Sequence, residues 1–123
     1  MIYSLTIKGH FDAAHFLRGY QGKCQFLHGH TFFYEVQLEG NKLDELGMLI
    51  DFVEVKKILK EVVEEGLDHK FLNEVFPFTE LNPTAENLAK VIFEKLTWQF
   101  MDPVKIKQVT IWESQDAGVT YSE

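Results

Sequence analysis

The stretch CQFLHGHTFFYEVQLEG, Cys24 to Gly40, joins a cluster of reactive side chains to a strand. From His30 to Leu38 apolar and polar residues alternate. Phe32, Tyr34, Val36 and Leu38 share one parity, and Thr31, Glu35, Gln37 and Glu39 share the other, with Phe33 as the exception. Successive strand side chains point to opposite faces, so the pattern predicts a strand with one buried face. Gly40-Asn41 ends it. The residues just before hold the sole cysteine and, at Cys24, His28 and His30, two of the five histidines beside it.

Working outward, the same alternation runs from Tyr3 to about His15, with Tyr3, Leu5, Ile7, Phe11 and Ala13 on one side. Residues 16–27 contain two glycines and read as a loop. After Gly47 the period changes. Asp51 with Glu54 makes a capping-box-like start, Phe52, Val55, Ile58, Leu59, Val62 and Val63 recur at helical spacing, and Gly66 is the expected stop. LDHKFLN, 67–73, reads as a short irregular segment. A second helix starts at Pro83-Thr84, with Ala85, Leu88, Ala89, Ile92, Phe93 and Leu96 as its apolar stripe. VKIKQVTIWE is a strand whose parity shifts near Gln108, which predicts a bulge. VTYSE is a short last strand. The order is ββααββ, an α+β domain over 1–123 with two helices on one face of a four-stranded antiparallel sheet. Two open sheet edges invite edge-to-edge oligomerisation.

The 123 residues suffice for a core, and 46% hydrophobic with 25% charged residues is ordinary for a globular chain. A formal net charge of −7 argues against a nucleic-acid partner, because phosphate backbones need a basic surface. No apolar run approaches a membrane span, and the opening lacks the pattern of a signal peptide. One cysteine permits no internal disulfide, which makes a cytoplasmic setting the default.

Parity gives the histidines their meaning. His28 and His30 share the parity of Phe32 and Val36, and His15 shares that of Phe11 and Ala13. All three point to apolar faces, whereas His10 falls on a polar one. A buried imidazole needs a hydrogen-bond partner or a metal. Two imidazoles at i and i+2 of a strand can converge on one ion. Three nitrogen ligands suit Zn²⁺ with a free position, the catalytic arrangement. The alternatives are core histidines bonded to carbonyls, or Cys24 as a fourth ligand closing a structural site.

Elsewhere, Asp68 and His69 are adjacent, and could orient a proton-transferring imidazole or simply cap a turn. Glu113 shares the parity of Val109 and Ile111, an inward carboxylate that needs a partner.

The stretches FDAAHFL, CQFLHGH, GMLIDF, LDHKFLN, NPTAENLA and WESQDAG, in this order, resemble the 6-pyruvoyl-tetrahydropterin synthase / 6-carboxytetrahydropterin synthase family over almost the whole chain. The resemblance implies the tunnelling fold, in which subunits join sheets into a trimeric barrel and two trimers stack as a homohexamer. It implies zinc on His15, His28 and His30, Cys24 as proton-abstracting base, Asp68 and His69 as a relay, and Glu113 on the pterin N–H groups. It implies 7,8-dihydroneopterin triphosphate as substrate. Three residues separate Cys24 from His28, and Ala117-Gly118 follows, as in the carboxy branch of the queuosine pathway. That branch releases acetaldehyde and triphosphate. The pyruvoyl branch has a longer gap, and a folate-linked branch carries a glutamate that is absent between Cys24 and His28. Ser114 departs from the expected threonine but keeps the hydroxyl. A zinc-stabilised pterin-binding module without turnover is the non-enzymatic alternative. Arg18 and Lys23 are candidates for the triphosphate on charge alone.

Overall fold

The computed structural model describes residues 1–123. Two long strands form its centre: β1 (Tyr3–His15) and β2 (His28–Gly40) pair antiparallel along their whole length, from Tyr3 opposite Gly40 to His15 opposite His28. The alternation read from the sequence is the reason. Leu5, Ile7, Phe11 and Ala13 on β1, and Phe32, Tyr34, Val36 and Leu38 on β2, are all buried, so one register places both apolar rows on one face. β4 (Lys105–Ser114) adds to β2, and β5 (Ala117–Ser122) adds to β4, both antiparallel. The expected irregularity is present: Gln37 pairs with Gln108 but Leu38 with Ile106, so Lys107 is the extra residue.

The helices cover the apolar face. Asp51 caps α1 (Phe52–Leu59) by accepting from Val53 N–H at 2.8 Å. Gly66 does not stop the helix. Winding continues through a π-helical turn (Lys60–Glu64) and α2 (Glu65–Leu67). The buried residues explain the change of pitch. Val55, Leu59, Val63 and Leu67 are at most 3% exposed and recur every fourth residue. A uniform α-helix advances 100° per residue, so a four-residue repeat drifts by about 40° each step. One wider turn removes most of that drift and keeps all four on the core. Thr84 caps α3 (Ala85–Thr97) by accepting from Asn87 N–H at 3.1 Å, and the six apolar residues expected on its stripe are buried.

The sheet differs from the expected four antiparallel strands. Its order is β3-β1-β2-β4-β5, and β3 (Lys70–Phe71) runs parallel to β1 at Ala13 and Ala14. The element order is therefore ββαβαββ in outline. A two-residue strand has no period to read, so LDHKFLN looked irregular. No helix is long and apolar enough to cross a membrane.

Candidate active site

The end of β1 and the start of β2 bring three imidazoles together. His15 stands directly opposite His28, and His30 stands opposite Ala13, two residues along on the same face. The ring centroids lie 4.5 to 5.1 Å apart, above the ring of Phe32. His15 is 1% exposed, while His28 and His30 are partly buried.

The hydrogen bonds assign the free nitrogens. His15 Nδ1 lies 2.7 Å from the Pro83 carbonyl, and His28 Nδ1 lies 2.7 Å from the Phe26 carbonyl. A carbonyl only accepts, so each Nδ1 carries the proton and each Nε2 keeps its lone pair. The Nε2 atoms of His15, His28 and His30 are all buried and without a hydrogen-bond partner. Three ring nitrogens without hydrogen-bond partners at one point, two of them assigned as acceptors, are costly in an apolar site and suit a cation. The carbonyls behind His15 and His28 orient the two rings, as carbonyls behind imidazoles do in metal-binding sites. Burial is the largest cause holding the His15 and His30 pKa values below 6.5; the Pro83 carbonyl opposes it at His15, and Glu113 opposes it at His30. Neutral rings are the form that binds metal.

Glu113 joins this group. Its Oε1 lies 3.0 Å from His30 Nε2, close enough for an ion pair but without the alignment of a hydrogen bond. The four ligand atoms all lie within 4.8 Å of one another. A bulge aims this carboxylate: Trp112 pairs with Gly118 and Ser114 with Ala117, so Glu113 is the residue skipped. Gly118 is required there, because a Cβ would lie 2.6 Å from the Trp112 ring.

Cys24 belongs to neither cluster of potential ligands. It lies on a 3-10 turn (Lys23–Gln25) as a partly buried thiol, and its carbonyl accepts from Leu17 N–H at 2.8 Å. The histidine cluster is therefore built without sulfur.

Asp68 and His69 do touch each other. Asp68 Oδ2 lies 2.9 Å from His69 Nδ1, and Asp68 Oδ1 accepts from Asp12 N–H at 2.9 Å. His69 N–H donates to Asp12 O at 2.6 Å and holds a positive φ of 57°, rare for a residue with a side chain. The Asp12 N–H, and after it His69, hold the Asp68 carboxyl below its usual pKa. Thr31 donates its hydroxyl to Asp12 Oδ1. Asp12 and Thr31 escaped the sequence reading; their only signal was a polar position facing the same strand end. A cleft of about 600 Å³ joins His30 and Thr31 to His69 and Lys70. A larger concavity of about 960 Å³, between the end of α3 and β4, holds none of these groups.

Arg18, read as a candidate on charge alone, has partners within the chain. Its guanidinium donates to the carbonyls of Asn73, Phe78 and Leu81, so it braces a loop. Asn73 and Asn82 complete the brace, each both accepting from and donating to the backbone of 16–18.

Three comparisons agree with this geometry. The family model described as 6-pyruvoyl tetrahydropterin synthase matches residues 4–123. The chain is 38% identical to a Rickettsia felis 6-carboxy-5,6,7,8-tetrahydropterin synthase over 106 residues, covering 70% of this chain and 77% of the relative. It is also 38% identical to a Pyrococcus furiosus dihydroneopterin monophosphate aldolase over 115 residues, 94% of this chain and 93% of the relative. The structure of Caenorhabditis elegans 6-pyruvoyl tetrahydropterin synthase superposes with a TM-score of 0.88 at 31% identity, covering 100% of this chain and 96% of that one. From the strand-borne histidines to the last bulge, the chain belongs to the 6-pyruvoyl tetrahydropterin synthase family.

Proposed function

We propose that the chain is a zinc-dependent 6-carboxy-5,6,7,8-tetrahydropterin synthase, which converts 7,8-dihydroneopterin triphosphate and water to 6-carboxytetrahydropterin, acetaldehyde and triphosphate. The observation that carries this reading is the set of three buried, unpartnered Nε2 atoms with Cys24 outside it. Relatives of that name at 31–38% identity support it.

His15, His28 and His30 would hold the zinc, whose Lewis acidity makes side-chain protons of the substrate easier to remove. Cys24, as thiolate, takes a carbon-bound proton. His69, oriented through Nδ1 by Asp68, passes protons at its Nε2. Glu113 accepts from the pterin N–H groups. The unsatisfied edges of β1 and β5 support assembly into a barrel and a homohexamer, and the lone thiol fits a cytoplasmic setting.

The deciding experiment incubates the protein with dihydroneopterin triphosphate and assays acetaldehyde. Stoichiometric acetaldehyde and triphosphate are expected. Triphosphate without acetaldehyde would indicate 6-pyruvoyl-tetrahydropterin synthase. Binding without any product would indicate a pterin-binding module.

The near-complete match to the Pyrococcus furiosus protein favours a second reading, an aldolase acting on dihydroneopterin monophosphate. An aldolase splits a side-chain carbon–carbon bond and leaves the phosphate ester intact. Phosphorus NMR of reactions with the monophosphate and the triphosphate separates the two.

A further inference from the structure

The first helix changes pitch in its middle, and the change has a partner in the sheet. Glu65 N–H bonds to Lys60 O, five residues back, closing the π turn. Such a turn holds one residue more than α-helical winding, which shifts the phase of everything after it by about 100°. Four residues beyond Glu64, Asp68 N–H donates to the Glu64 carbonyl at 2.7 Å. The chain leaves the helix at Asp68, and His69 follows with φ 57°. The winding of 60–64 thus sets the direction in which Asp68 and His69 reach β1.

One side chain of β2 grips that turn. Tyr34 is 2% exposed, and its hydroxyl donates to Glu64 Oε2 at 2.6 Å. A short bond to a carboxylate is stronger than one between neutral groups. Burial, with Glu64 beside it, holds the Tyr34 hydroxyl well above its ordinary pKa, so it remains a donor. The cross-strand neighbour of Tyr34 is Gly9, and a Cβ there would lie 2.2 Å from the Tyr34 hydroxyl oxygen. Gly9 therefore leaves the space in which the ring lies.

We propose that Tyr34 is a positioning residue for the Asp68–His69 pair: seated over Gly9, its hydroxyl holds Glu64 and the π-turn register that aims Asp68 and His69 at β1. The catalytic consequence rests on the proton-relay role assigned above. The structural consequence does not.

Tyr34→Phe keeps the buried ring and removes the hydroxyl, while Glu64→Gln keeps the shape of the acceptor and removes its charge. Both are measured for zinc content, turnover and amide hydrogen exchange. Zinc content and KM are expected to stay within about twofold, with kcat falling by about tenfold or more in Tyr34→Phe, because small misplacements of catalytic groups are costly. The His69 amide, which is bonded to Asp12 O, should exchange about tenfold faster, while central amides such as that of Val36 stay unchanged. Gly9→Ala, whose added methyl would crowd the Tyr34 hydroxyl and ring edge while leaving Tyr34 itself in place, should reproduce the local exchange change. Unchanged His69 exchange in both Tyr34→Phe and Glu64→Gln overturns the proposal. So does an increase spread evenly over all amides, which marks Tyr34 as merely stabilising. If the native protein turns over no pterin, the relay reading falls, and the exchange data still decide the role of Tyr34.

Discussion

His15 and His28 face each other across one strand pair, each with Nδ1 committed to a carbonyl and Nε2 free. This division of labour between two nitrogens of one ring separates the roles of neighbouring residues. With His28 as one of the proposed zinc ligands, His28→Ala should lose most bound zinc, and with it more than about a hundredfold in activity. Cys24→Ala should keep one zinc per chain and lose about 10²–10⁴-fold in activity, the range of general acid–base catalysis. Metal analysis of both variants beside rate measurements checks this, and loss of zinc from Cys24→Ala would point to a sulfur ligand instead. The same rings predict a pH dependence. The pKa values of His15 and His30 lie below 6.5 in the folded chain, mainly through burial. Between the lowered values and 6.5 the unfolded chain binds more protons than the native one, so stability rises with pH. Metal-free protein should therefore be fully stable above 6.5 and lose stability as the pH falls below it. Asp68, held below 3.8, adds its own loss only in stronger acid. Urea midpoints in chelator at pH 7.5 and pH 5 test this, and equal midpoints would contradict it.

At the scale of elements, the helix over β1 and β2 is fixed by its buried row more than by its termini. Val55, Leu59, Val63 and Leu67 form one line only because a wide turn absorbs the drift of a four-residue repeat. Val63, fully buried inside that turn, is the sensitive position. Val63→Ala should cost roughly 1–3 kcal/mol in denaturant unfolding, a transfer loss plus a cavity. Thr84→Ala, which removes the cap of α3, should cost about 1 kcal/mol. A cost below about 0.5 kcal/mol at Val63 would show that the row can repack. The sequence pattern foretold both helices, the cap at Asp51 and the bulge beside Gln108. It placed the end of the first helix at Gly66, one residue short of Leu67, because the propensity of one glycine is weaker than the burial of Val63 before it and Leu67 after it. It also missed β3, since two residues carry no period.

At the scale of the whole molecule, the sheet keeps two largely unpaired edges. β1 has an outer partner only at Ala13 and Ala14, and β5 has none. Exposed edges of this length favour pairing with another chain. The proposed homohexamer predicts a single sedimenting species of six chains, and a stable monomer at micromolar concentration would rule out the barrel. The site lies at one end of this sheet, where β1, β2, β4 and the turn before β3 meet, so its integrity depends on the register of all four.

What the sequence determined by itself was direction. A period of two decides which way a strand side chain points, and residues within a few positions of one another encode it. His15, His28, His30 and Glu113 were legible as inward-facing for that reason, as were both apolar stripes. What only the tertiary structure decided was company. Asp12 meets Asp68 across 56 positions, Arg18 meets the carbonyls of Asn73, Phe78 and Leu81 across 55 to 63, and Tyr34 meets Glu64 across 30. No local pattern records such pairs, because they exist only once the chain has closed and each polar group has taken the partner that burial left within reach.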